Sequence, residues 1–241
     1  MLTTRIFEFP SGRFVFAKQE PFRLEDADDL PQVPSLPETL LVMELQLHGR
    51  SIDLREVAEA VLRDLGATLQ ILRLAGREYG DREDRPVRIE DCIADLGLES
   101  CLRAAESATL TKATLNPTIL EMWAHAREIA QCCRLLTEEE SGIVHPYEAY
   151  LAGLVHGIGA LPAVLGWKRG DLIGDRTLTA LTLAQRWAFP ACLKDFFGEL
   201  HNPGANPQVS KIVARAHELV IESSARCLPV EQAVPSRAVL E

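Results

Sequence analysis

Apolar residues return every three or four positions along most of this 241-residue chain, and that spacing constrains its fold more than any other feature. Ile119, Met122, Trp123, Ala126, Ile129, Ala130 and Cys133 form one stripe, in a helix opened by Asn116-Pro117. Leu54, Val57, Ala58, Val61 and Leu62 form another, preceded by Asp53 and Glu56 at capping-box spacing. Leu36, Leu40, Met43 and Leu47 share a face, and Leu65, Leu69 and Leu72 predict a further helix ending near Gly76. Short helices are expected over 89–96 and 99–107, separated by Gly97. His145-Pro146 starts another, with Tyr147, Tyr150, Leu151, Leu154, Val155 and Ile158 on one face. Its other face, Ala149, Ala152, Gly153, His156, Gly157 and Ala160, is small enough to let a neighbouring helix come close. The same period predicts helices over 177–187, 191–200 and 208–225. Stripes of this kind must be buried against one another, so the expected fold is an all-α bundle. The composition agrees: 47% of residues are hydrophobic but only 6% aromatic, a Leu- and Ala-rich core suited to helices.

The front of the chain is different. Five of the eight phenylalanines precede position 23, and Phe7, Phe9, Phe14 and Phe16 alternate about Pro10-Ser11-Gly12-Arg13. This pattern predicts a short β-hairpin with one apolar face. Packing on the main body is favoured over service as a docking arm, because a lone hairpin needs a surface to rest on. Asp26 to Pro37 is acidic and proline-rich, a linker composition. The expected organisation is an N-terminal extension over 1–34, a helical module over 35–225 with halves 35–115 and 116–225, and a tail over 226–241.

Charge and cysteine usage narrow the function. The net charge is −10, which repels phosphate backbones and argues against nucleic acid as a partner. Arg77 to Arg88 alternates with Asp81, Glu83 and Asp84 and is expected to be a solvated mixed-charge loop. No apolar run reaches the roughly 18 residues that span a bilayer, and the N-terminus lacks signal-peptide order. The chain is therefore expected to be cytoplasmic, with no membrane partner. The six cysteines contain no C-x-x-C pair and are expected to be reduced packing residues. Trp123, Trp167 and Trp187 are expected as core or junction anchors.

Six histidines are the remaining candidates for chemistry: His48, His125, His145, His156, His201 and His217. A histidine-carboxylate metal site needs several to converge with an Asp or Glu. His125 and His156 lie on successive helices, where a pair can meet. The position after His156 is Gly157, which has no ligand atom. His201 and His217, near the C-terminus, are expected at the surface.

At these residues the chain resembles the HDOD family, the regulatory relatives of the HD-domain phosphohydrolases. Leu36-Pro37 is similar to the family's opening. Leu72-Arg73-Leu74-Ala75 resembles its LLRLAN segment, with Gly76 in place of asparagine. Residues 89–97 resemble its next conserved helix. Trp123-Ala124-His125 is similar to LW-x-HS, residues 153–159 to GLLHDIG, residues 187–190 to W-x-LP, and Leu200-His201 to the end of I-x-x-HH. The resemblance covers about Leu36 to Ala216. It implies an HD-domain-like bundle of two helical halves and places His125 and His156 at the two metal-binding histidines of catalytic relatives. It also implies an eroded site. Gly157 replaces the family's aspartate, Arg176 beside Asp175 stands at a further histidine, and Asn202 stands at the second histidine of HH.

Losing the aspartate removes the anionic ligand, and an inward Arg176 would repel a divalent cation. The resemblance thus implies a vestigial pocket of His125, His156, Gly157, Asp175, Arg176 and His201, with no catalytic residue, bound metal or cofactor. The expected function is non-enzymatic signal transduction through contacts with signalling proteins, with homodimerisation left open. One alternative is a metal-dependent phosphohydrolase using His125, His156 and Asp171 or Asp175. Another is a sensor that holds an anionic nucleotide through Arg176.

Overall fold

The computed structural model describes residues 7–9, 12–14, 32–80, 82, 85–108, 117–139, 144–167, 179–201 and 208–226, with the backbone alone at 7–9, 12–14, 139, 201 and 223–226. From Pro37 on, the described residues are mostly helical, as the apolar period requires. Five lie in the first half: α1 (Pro37–Leu47), α2 (Leu54–Leu62), α3 (Leu65–Tyr79), α4 (Ile89–Leu96) and α5 (Leu98–Glu106). The second half has α6 (Pro117–Glu139), α7 (Pro146–Val155), α8 (Leu161–Val164), α9 (Ala180–Arg186), α10 (Ala191–His201) and α11 (Gln208–Arg226). A 3₁₀ turn, Ile158–Ala160, joins α7 to α8. No helix among the described residues is long and apolar enough to cross a membrane.

At the front, Phe7–Phe9 and Gly12–Phe14 pair antiparallel along the backbone. The turn and the phenylalanine side chains of the expected hairpin lie outside the described residues. So do most of the linker and the tail beyond Arg226.

Local chemistry sets the helix ends. Pro37 and Pro146 occupy first-turn positions, where a missing N–H costs nothing. Asp53 Oδ1 accepts from the N–H groups of Arg55 and Glu56. The expected capping box is relayed: the Asp53 N–H donates to Gln46 Oε1, and Gln46 Nε2 donates to Glu56. α1 is thereby tied to the start of α2. Gly97 sits at φ 83°, a left-handed conformation that favours glycine, and lets α4 turn directly into α5.

Three expectations need correction. The helix begun at Pro146 was expected through Ile158, but it stops at Val155, and His156-Gly157 form a turn. The helix expected to end near Gly76 runs on to Tyr79, because Gly76 serves a close approach and not a stop: a Cβ there would lie 2.6 Å from the Trp187 carbonyl oxygen. The Arg77–Arg88 segment is not uniformly solvated. Arg85 is only 8% exposed. Its guanidinium donates to the carbonyls of Leu72, at 3.0 Å, of Gly80 and of Ala188. It thus ties α3 to the corner between α9 and α10.

The core is continuous across both halves. α6 and α7 pack so closely that a Cβ at Gly153 would stand 2.8 Å from Ala130 Cα and 2.9 Å from Cys133 Sγ. α11 lies against both. Side-chain bonds lock the halves together. Asp64, fully buried, caps α3 by accepting from Gly66 N–H and also accepts from Leu36 N–H and Trp123 Nε1–H. Tyr150 donates to the Leu62 carbonyl, and Tyr147 Oη accepts from Ile89 N–H.

Candidate functional site

Two features stand out, one polar cluster and one cleft. The cluster brings together His125 from the middle of α6, His156 from the turn closing α7, and His217 from α11. Their ring centroids are 5.4 Å apart for His125 and His156, 5.0 Å for His125 and His217, and 4.6 Å for His156 and His217. One ligand nitrogen from each lies within 4.8 Å of the other two. All three are half-buried. Among the described residues this is the one convergent group of three His, Cys, Asp or Glu side chains, and no carboxylate joins it.

Why the rings meet follows from packing. Met122 and Trp123 anchor α6 in the core and turn His125 toward α7 and α11. Gly153 lets α7 come within contact of α6, which carries His156 with it. On α11 the apolar residues Val213, Ala216 and Val220 face the bundle, and His217 lies on that stripe. The structure therefore corrects the expectation that His217 is a surface residue. The signal was present in the sequence, since 213, 216, 217 and 220 are one helical stripe, but a histidine at its edge reads as polar.

The electrostatics favour neutral imidazoles. Burial, with the neighbouring His217 adding to it, brings His156 down to about 3. Burial also brings His125 down to about 4, again with a contribution from His217. His217 itself is lowered by burial. His156 Nδ1 is hydrogen-bonded to the Gly153 carbonyl. In a neutral ring Nδ1 must then be the donor, which leaves the Nε2 lone pair free to act as a base or ligand.

Gly157 follows in the turn with φ −88° and ψ 4°. A Cβ there would meet only Met122 Cε, at 3.6 Å. Space for a longer side chain exists; the sequence supplies none. Of the other expected pocket residues, Asp175, Arg176 and the alternative Asp171 lie outside the described residues, as does the side chain of His201, whose backbone closes α10. His48 is exposed at the end of α1, and His145 caps α7, its Nδ1 accepting from Tyr147 N–H at 3.2 Å.

Four of the cysteines are unsuited to act as nucleophiles. Burial pushes the thiols of Cys92, Cys101 and Cys133 up to about 12 and that of Cys192 to about 11, so they stay protonated.

The cleft, about 850 Å³, runs between the two halves. α2 and the start of α4 form one wall, α6 and α7 the other. Arg55, Arg63, Arg88, Arg127 and Arg134 line it against Glu59, Glu90 and Glu128. Tyr147 and Tyr150, the residues that tie the halves, also line it, and Arg88 lies 5.7 Å from the Tyr147 ring centre. In a chain of net charge −10 this is a locally basic surface. Nothing in the sequence pattern marked its basic lining, because the arginines come from three separate stretches, α2, the start of α4 and α6.

A search of curated proteins found no match. Among solved structures, the MmoQ response regulator of Methylococcus capsulatus strain Bath is similar in fold. One of its crystal structures is 18% identical with a TM-score of 0.58, covering 81% of this chain and 90% of that one. A second is 17% identical with a TM-score of 0.59, covering 81% and 93%. A virulence factor of Campylobacter jejuni subsp. jejuni is 16% identical with a TM-score of 0.50, covering 79% and 76%. The family model described as HDOD domain matches residues 33–168, more than half of the chain and the whole of α1 to α8. With the bundle and the histidine positions described above, this shows that the chain belongs to the HDOD family.

Proposed function

We propose that the protein is a non-enzymatic regulatory module that acts through protein–protein contacts and presents the cleft between its halves to an acidic segment of a signalling partner. The observation that carries this reading is the cleft itself: five arginines against three glutamates, on rigid helices, in an otherwise acidic molecule. Such a surface attracts a partner of opposite charge and sets its orientation. The histidine cluster supports this reading, because Gly157 supplies no carboxylate and none joins the cluster among the described residues to act as anionic ligand or proton carrier. In the same reading the Phe-rich segment folds back on the bundle as a hairpin, and the chain works in the cytoplasm without nucleic acid or membrane. Homodimerisation is compatible with it.

The test places a photocrosslinking residue at Glu128 in the cleft or at Glu99 on α5, in cells. A discrete crosslinked partner is expected from position 128. Its yield should fall about tenfold when Arg63→Glu and Arg127→Glu reverse the cleft's charge, with crosslinking from position 99 unchanged. Crosslinks indifferent to charge reversal would sink the docking reading. Hydrolysis of a generic phosphodiester by metal-loaded protein, lost in His156→Ala, would replace it with a phosphohydrolase. Stabilisation by a nucleotide in a thermal-shift screen would replace it with a ligand sensor.

A further inference from the structure

We infer that His125, His156 and His217 form a binding site for a single Zn²⁺-like transition-metal cation, which fastens α11 onto the α6–α7 hairpin. The inference stands apart from the docking proposal, since it rests on the cluster and not on the cleft. Three nitrogen donors from three separate elements converge on one point, with their ligand atoms within 4.8 Å of one another. Two imidazoles bound to one tetrahedral Zn²⁺ at about 2.0–2.1 Å have nitrogens about 3.4 Å apart. Closing the remaining gap takes small rotations of the rings about their side-chain torsions. The rings already stand edge-on or tilted, at 54° to 84°, and so do not stack face to face.

The surroundings match what such ligands need. His156 Nδ1 is held by the Gly153 carbonyl, which presents Nε2 as the ligand atom, the arrangement seen where a backbone carbonyl orients a metal-bound histidine. The donor set also selects the ion. Three neutral nitrogens, with no carboxylate beside them among the described residues, suit Zn²⁺, Co²⁺, Ni²⁺ or Cu²⁺ and serve Mg²⁺, Ca²⁺ and Mn²⁺ poorly, because those ions prefer oxygen. The cation would join α11 to α6 and α7, against both of which α11 packs.

The experiment uses the untagged full chain, reduced and stripped with chelator, titrated with Co²⁺ in the visible range and then with Zn²⁺. One equivalent of Co²⁺ is expected to give the intense ligand-field bands of tetrahedral nitrogen coordination, displaced by Zn²⁺ and not by Mg²⁺. His217→Ala should weaken binding by more than about 100-fold, exceeding the loss usual for a residue that only orients a ligand. Circular dichroism of the metal-free variant checks that it folds. Gly157→Asp gives an independent gain: it puts a carboxylate beside the cluster where there is room, so Zn²⁺ binding should tighten and Mn²⁺ binding appear. Absence of the bands would falsify the site. So would a thiolate charge-transfer band, which assigns the metal to cysteine, or binding unaffected by His217→Ala. A folded Gly157→Asp protein with unchanged metal preference would overturn it as well, even if the alanine variant failed to fold.

Discussion

A single imidazole shows how a residue's surroundings set its chemistry. His156 in the unfolded chain titrates near 6.5, but burial beside two other histidines brings it to about 3 in the fold. His125 moves the same way, to about 4. Folded values below unfolded ones mean that the unfolded chain binds more protons between these limits, so stability is lost as pH falls through that window. Above about 6.5 both states are neutral here and the contribution is constant. Metal-free protein should therefore lose stability from pH 6.5 toward pH 4, by at most about 1.4 kcal/mol per pH unit for each ring. His156→Gln should flatten this acid limb. Denaturant unfolding at a series of pH values, in chelator, measures both slopes; equal slopes would contradict the burial argument. The pair of His125 and His156 was legible in the sequence, because adjacent helices of matching period must bring their facing residues together. The third partner was not, because nothing local says which face of α11 turns inward.

Glycines decide how the elements approach one another. Gly153 and Gly157 are four residues apart, and both looked like small residues on one helical face. The structure separates them. At Gly153 an added methyl would strike Ala130 and Cys133 at under 3.0 Å, whereas at Gly157 it would touch only the flexible end of Met122. Gly153→Ala should cost about 1–3 kcal/mol by overpacking and forcing α7 off α6. Gly157→Ala should change stability by no more than about 0.5 kcal/mol. Thermal or denaturant unfolding of the two variants side by side is the check, and comparable losses would contradict the packing geometry. The helix boundaries carry a similar lesson. Asp53 and Pro146 announced their helices correctly because caps are local chemistry. The end of α7 at Val155 was missed, since apolar residues continue past it and the break is imposed by the turn into α8.

At the scale of the molecule, a few buried polar groups hold the two halves together and so shape the cleft between them. Asp64 has the widest reach: it caps α3, takes the N–H of Leu36 and accepts from Trp123 on α6. Burial raises its pKa, partly offset by these hydrogen bonds, so the carboxylate is costly to bury and depends on its donors. Asp64→Asn keeps the shape but turns an amide N–H₂ toward one of those donors. It should destabilise the protein by about 2 kcal/mol or more. The same variant should also loosen the Trp123 contact, read as a red shift in tryptophan emission. Unaltered stability and emission would show that the halves do not depend on this link.

The division between what the chain announced and what the fold decided follows from range. Periodicity, caps and prolines act over a few residues, so the helical class and nearly every described helix could be read directly from the sequence. That Gly157 offers no ligand atom was equally plain, being a matter of one residue's chemistry. The third histidine, the buried role of Arg85 and the basic cleft were not legible. Each depends on residues from distant stretches meeting in space: His217 with His125, Arg85 with Ala188, Arg63 with Arg127. Only the packing of helices around a shared core fixes which faces turn toward one another, and the cleft and cluster are consequences of that packing.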